Sequence, residues 1–253
     1  MSPRPLALTV AGSDPGGGAG IGADLRTFEA LGADGACVVT AVTAQSASGV
    51  HAVAAMEPAL VAAQFDAIVA DRTIAAAKTG MLWNAAIVEA VAGRIHAHGL
   101  AGRVVVDPVL AASRGGRLLD DAGLRARVTS LLPLCALVTP NLAEAEALTG
   151  EAVRDVAGMS QAARAIVRLG ARAALVKGGH LAGAAVDVLF DGEREQRFEA
   201  PRVRGADPHG TGCVLSAAIT AGLAHGRDLA DAIARAKAHV SEAIASEAAV
   251  VSA

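Results

Sequence analysis

At 253 residues, 53% hydrophobic and 19% charged with a net charge of -3, the chain suits one α/β domain and lacks a broad positive field for gathering phosphodiester backbones. An aromatic fraction of 2%, with no tyrosine, leaves too few rings for a reader of single-stranded nucleic acid. No apolar stretch reaches the roughly 18 residues of a membrane span, residues 1–6 do not open a signal peptide, and Cys37, Cys135 and Cys213 fit neither a disulfide framework nor a zinc site, so a reducing cytoplasm is expected, with no nucleic-acid or membrane partner.

Residues 6–10 read as a buried strand running into the loop Gly12-Ser13-Asp14-Pro15-Gly16-Gly17-Gly18-Ala19-Gly20, and a helical pattern follows over 23–31. A second strand, 36–43, leads to Thr43-Ala44-Gln45 and then to a helix over 58–70. The third, 74–78, ends in Lys78-Thr79-Gly80-Met81 and precedes a helix over 85–98. The fourth, 103–106, ends in Asp107-Pro108-Val109, ahead of a helix over 121–132. The fifth, 136–139, runs into Thr139-Pro140-Asn141 and a short helix over 142–148 that carries Glu144. After a helix over 160–169, the sixth strand, 173–177, ends in Lys177-Gly178-Gly179-His180. Residues 186–190 and 196–200, joined around Asp191-Gly192, form an antiparallel edge hairpin, and helices over 210–224 and 229–248 close the chain. Continuous Val/Leu/Ala strands with helical crossovers predict an α/β fold of three layers, a mostly parallel sheet covered on both faces, in a single domain over 1–253.

The glycine-rich and polar residues follow the strands rather than precede them, which places the site at the carboxyl edge of the sheet. The Gly18–Ala23 stretch fits a dinucleotide fingerprint, but the second strand ends at neutral Thr43 and Gln45 where an acid would hold a ribose, and no Lys-Ser/Thr closes a P-loop. Gly210-Thr211-Gly212-Cys213 opens a helix whose bare N–H groups make an anion pocket suited to a transferring phosphoryl group. In that first turn the helix dipole is expected to lower the Cys213 thiol pKa. Asp107 and Glu144, at neighbouring strand ends, suit Mg²⁺, and Lys177 can reach a phosphate. His51, His180 and His225 are isolated and are assigned no chemistry.

The segments AGSDPGGGAGIGADLRTFEALGADG, VVTAVTAQ, KTGML, VVDPV, TPNLAEAEALTG, LVKGGH and HGTGCVLSAAI resemble, in order, those of bacterial hydroxymethylpyrimidine/phosphomethylpyrimidine kinases of thiamine biosynthesis, within the ribokinase-like superfamily. The resemblance implies a ribokinase-like fold in which Gly12, Asp24, Gln45, Met81 and Val109 hold an aminopyrimidine. It implies that Gly210, Thr211 and Gly212 form the anion hole, that Cys213 takes the hydroxyl proton, and that Asn141, Glu144 and Lys177 handle Mg-ATP. It further implies ATP and Mg²⁺ as cofactors, two successive phosphorylations to the diphosphate, and a homodimer. Pyridoxal kinase of the same superfamily is the alternative. The chain departs from the family pattern at Ser46-Ala47, at Ser113-Arg114-Gly115 and at Asp207-Pro208, which bear on phosphate handling and the second phosphorylation, and also in its tail, 246–253.

Overall fold

In β1 (Leu6–Ala11) every side chain is buried, so its sequence LALTVA shows no polar alternation. A computed structural model describes residues 3–46, 48–111, 118–179, 181, 185–200 and 210–251, with side chains through 246. Ala47, the segment 113–115, His180 and the segment 207–209 lie outside the described residues. β1 pairs in parallel with β2 (Asp34–Val39) on one side and β5 (Ile74–Thr79) on the other. Three further parallel strands follow outward, β6 (Val104–Val106), β7 (Leu137–Val138) and β8 (Ala174–Lys177). Two antiparallel strands, β9 (Ala185–Phe190) and β10 (Glu195–Ala200), complete an eight-stranded sheet.

Three helices, α1 (Gly20–Ala30), α7 (Thr211–Ala224) and α8 (Leu229–Val251), cover one face. Their contacts pack Phe28 and Ala217 against Ala7, and Ile219 and Ile233 against Val105 and Leu175. The other face carries α2 (Pro58–Asp71), α3 (Ala85–Ala97) and α6 (Val156–Arg168), whose Phe65, Ile87 and Ile166 share one cluster with Leu8, Val10 and Val176. Strand side chains alternate between faces. Thr9, two residues beyond Ala7, therefore points toward α1 and α7, and so does its register partner Lys78. Asp107 follows Val105, Lys177 follows Leu175 and Asp187 precedes Leu189 by the same two-residue step, so the charged residues share the α7 face.

The expected strand over 36–43 is two strands. The ladder stops at Val39, and Thr40 is anchored by its hydroxyl, which donates to the Met81 carbonyl at 2.6 Å. β3 (Ala41–Ser46) then leaves the main sheet and pairs antiparallel with β4 (Gly49–Ala55), which was not anticipated. The expected helix over 121–132 keeps α-geometry only in α4 (Asp121–Ala126); a π turn spans Arg127–Leu131 and a 3-10 turn Leu132–Leu134. The helix expected over 160–169 starts earlier, at Val156, because Asp155 caps it through the Gly158 N–H at 2.7 Å.

Candidate functional site

A cleft of about 890 Å³ opens along the carboxyl ends of β1, β5, β6, β7 and β8, where the sequence had placed it. Gly12, Gln45, Met81, Val109, Asp107, Asn141, Glu144, Lys177 and Gly210 to Cys213 all border it. Gln45 reaches the cleft from β3, so the hairpin rather than a strand-end loop delivers it. Asp24 does not line the cleft. Its side chain is fully buried on α1, with Oδ2 accepting from Thr9 Oγ1 at 2.6 Å and Oδ1 from Lys78 Nζ at 2.7 Å. The expectation that it touches a ligand is corrected to a place one layer behind.

Helix ends along this edge differ in how they are closed. The N-termini of α3, α4, α5 (Leu142–Thr149) and α6 are closed by side-chain caps from Asn84, Asp120, Asn141 and Asp155. Such a cap is worth about 1 kcal/mol. α7, like α1 and α2, has no side-chain cap: its N-cap is Gly210 at φ 85, and no acid lies in the first turn. The first N–H groups of α7 therefore have no side-chain cap among the described residues, and Gly210 to Cys213 border the cleft. Glycine is required at 210, since a Cβ there would collide with the Gly18 carbonyl of the loop before α1. The two glycine clusters of the sequence thus fit into each other. Val109 holds φ at 37, a costly conformation for a β-branched residue, and does so at the wall of the cleft.

Behind the α7 terminus lies a packed set of charges. Lys177 Nζ donates to Asp107 Oδ1 at 3.1 Å, and Ser216, one turn into α7, donates to Asp107 Oδ2 at 3.2 Å. Burial opposes the Asp107 carboxylate, but Lys177, Lys78 and the Ser216 hydroxyl hold it below the usual carboxylate range. Desolvation opposes the Lys177 charge too, yet Asp107 and Glu144 raise its pKa and keep it an ammonium. Glu144 is raised by burial, against the pull of Lys177. It closes a capping box with Asn141: Oε2 accepts the Asn141 N–H at 2.8 Å and Asn141 Oδ1 accepts the Glu144 N–H at 2.9 Å. Two buried carboxylates and nearby hydroxyls form an all-oxygen donor set suited to Mg²⁺ that keeps several waters. Among the described residues no cluster of three or more His, Cys, Asp or Glu could hold a metal alone.

Cys213 borders the cleft with partial exposure, but its thiol departs from expectation. Burial pushes it up to about 11, with Lys78 the main opposing influence and Asp24 and Asp107 adding to the rise. The helix terminus is real, and the surrounding desolvation outweighs it. Sequence reading also assigned no role to Lys78, Ser216 or the pair Lys237–Asp187, which are 2.6 Å apart at the far end of the cleft beside Val240 and Ile244. Lys78 ends an apolar strand, a visible signal; Lys237 lies in an ordinary helical pattern and gives none.

The sequence model of the phosphomethylpyrimidine kinase family matches residues 14–252. The chain is 49% identical over 241 residues to the hydroxymethylpyrimidine/phosphomethylpyrimidine kinase of Rhizobium meliloti, covering 94% of this chain and 90% of that one. It is 48% identical over 243 residues to the thiamine biosynthesis bifunctional protein ThiED of Geobacter sulfurreducens; that match covers 96% of this chain and spans 49% of the longer relative. Its fold is similar to that of Bacillus subtilis pyridoxal kinase solved as an ADP complex, with TM-score 0.86, 38% identity and coverage of 93% of this chain and 89% of that one.

Proposed function

The chain belongs to the phosphomethylpyrimidine kinase family, and from that membership we propose that it moves a phosphoryl group from ATP to the hydroxymethyl group of 4-amino-5-hydroxymethyl-2-methylpyrimidine, and then to the monophosphate so formed. The observation that carries this reading is the uncapped, glycine-headed start of α7, which carries Cys213 in its first turn and borders the same cleft as Lys177. Only a ligand that brings negative charge fits such a terminus better than a side-chain cap would.

Bound Mg-ATP would supply the transferable phosphoryl group, with ADP as the leaving group. The residues fit it: Asp107 and Glu144 would hold the metal through oxygen, Asn141 stands at the same helix start, and Lys177 would face phosphate oxygens. Val240 and Ile244 of α8, with Leu215, offer apolar surface to a flat base. The pyrimidine goes to the other end, among Gly12, Gln45, Met81 and Val109. Thr211, Gly212 and Cys213 present backbone N–H groups to developing charge. Cys213 Sγ loses its proton to water, then takes the proton of the substrate hydroxyl as that oxygen becomes the nucleophile. A loose transition state asks chiefly for alignment and charge neutralisation, so proton removal is late. The whole of 1–253 is read as one kinase domain acting as a homodimer. No helix among the described residues is long and apolar enough to cross a membrane.

A coupled ADP-release assay with the pyrimidine alcohol, its monophosphate and pyridoxal tests the reading. Turnover is expected on the first two. Fast turnover on pyridoxal alone would replace the reading with the vitamin B6 kinase that the similarity to the Bacillus subtilis structure favours.

A further inference from the structure

The β3–β4 hairpin carries Gln45 to the cleft but lies outside the eight-stranded sheet. A two-stranded hairpin alone is marginally stable in water, and in the single chain Val42 and Ala44 on its outer face are exposed. What fixes Gln45 must therefore act from the cleft side. The register passes from Ala44 opposite Ala52 to Gln45 opposite Val50 and skips His51, so the extra residue sits in β4 and β3 keeps its alternation. Ala41, Thr43 and Gln45 accordingly share one face, and Thr43 and Gln45 both border the cleft.

Ser13 meets that face at both Ala41 and Thr43. Its N–H donates to the Ala41 carbonyl at 2.9 Å, and its own carbonyl accepts from the Thr43 hydroxyl at 2.8 Å. A longer bond runs from the Thr43 N–H to Ser13 Oγ at 3.4 Å. Ser13 is a firm anchor, because Asp14 beside it accepts the N–H groups of Gly16 at 3.0 Å and Ala19 at 2.9 Å and closes the glycine loop on itself. The same loop sets its Gly18 carbonyl against Gly210. One loop thus fixes the hairpin relative to the first turn of α7. Valine has the shape of threonine and suits a buried strand position at least as well; what Thr43 adds is a hydroxyl, and its proton is committed to Ser13.

We propose that Thr43 is a positioning residue for the substrate alcohol: its hydroxyl ties the hairpin to the glycine loop and so holds the Gln45 carboxamide, two residues on, against the pyrimidine. The inference rests on the proposed function and deepens it. A carboxamide offers a donor and an acceptor side by side, which match an amino group next to a ring nitrogen only when both bonds are aligned. A loosened hairpin weakens binding of the alcohol and leaves the phosphoryl-transfer groups on α7 in place.

The test measures coupled ADP release by Thr43→Val, Thr43→Ser, Gln45→Ala and the double variant Thr43→Val/Gln45→Ala of the full chain. Thr43→Val is expected to raise KM for the pyrimidine alcohol about five- to tenfold, the worth of one hydrogen bond, with kcat lowered less than about threefold and KM for ATP unmoved. Thr43→Ser keeps the hydroxyl and is expected to bring KM back to within about twofold of the parent. In the Gln45→Ala background Thr43→Val should add less than about twofold, since it acts through Gln45. Equal effects in the two backgrounds would mean that Thr43 touches the substrate itself, and would overturn the proposal; so would an unchanged KM for Thr43→Val. Amide hydrogen exchange of the unliganded chain needs no substrate. Residues 43–46 are expected to exchange faster in Thr43→Val and at the parent rate in Thr43→Ser, and unchanged exchange in Thr43→Val refutes the clamp. A parent without turnover on the pyrimidine overturns the functional reading, while exchange still decides whether Thr43 holds the hairpin.

Discussion

Gly210→Ala isolates the fit between the two glycine clusters. At φ 85 an L-residue pays the left-handed cost of about 1–2 kcal/mol. The added methyl also meets the Gly18 carbonyl, and neither partner is the free end of a flexible side chain. The loop before α1 or the first turn of α7 must move. Displacing a catalytic element by about 1 Å costs about 10²-fold in rate, so kcat/KM is expected to fall at least that far, with a drop of a few degrees in Tm. Gly226→Ala is the control: its φ of 75 carries the same backbone cost, but nothing lies within 4 Å of the added methyl. It should lose similar Tm and keep full activity. Gly212→Ala, whose methyl would meet the movable Lys177 Nζ at 3.2 Å, should fall between them. The assays are coupled ADP release and scanning calorimetry. Activity of Gly210→Ala within threefold of the parent would refute the argument that this contact shapes the anion hole.

Cys213→Ala should cut kcat by about 10² to 10⁴, the usual worth of a general base, as measured by ADP release; unchanged turnover would remove the sulfur from the mechanism. Because burial pushes the Cys213 thiol up to about 11, its ionised fraction grows with pH throughout the neutral range. The free-enzyme profile of kcat/KM should therefore keep climbing between pH 7 and 9, and a plateau beginning below pH 8 would contradict the geometry. Arg127 is fully buried and its three guanidinium nitrogens have no hydrogen-bond partner among the described residues, with burial lowering its pKa to about 10. Arg127→Met should stabilise the protein by about 1–3 kcal/mol, read as a higher Tm; a fall would mean that its attraction to Glu144 and Asp107 outweighs desolvation.

Elements whose pattern is long and local were legible in the sequence. β1, β5, β6 and β8 are apolar runs with a polar or glycine residue at the end, and sorting those residues onto one edge required only the parallel topology. The β3–β4 hairpin was missed because the apolar run through Thr40 continues unbroken across the point where the chain leaves the sheet. Its turning point is marked by a single buried threonine hydroxyl, which periodicity does not register. The π turn at Arg127 was missed for a related reason: its side-chain pattern is helical, and the change lies in the backbone.

Chemistry was harder to read than position. Cys213 was found from its place at a helix start, but its proton affinity depends on ions that lie far apart in the sequence, from Asp24 to Lys177. A helix dipole contributes a fraction of a charge at one end, whereas removing water from a thiolate acts from all sides. Desolvation therefore outweighs the dipole unless a full cation stands close by. Lys78 is the main influence opposing the rise of the Cys213 thiol, and Asp24 in turn raises the Lys78 pKa against burial. The residue that sequence reading assigned to the ligand and the one it passed over are the two halves of a single buried pair.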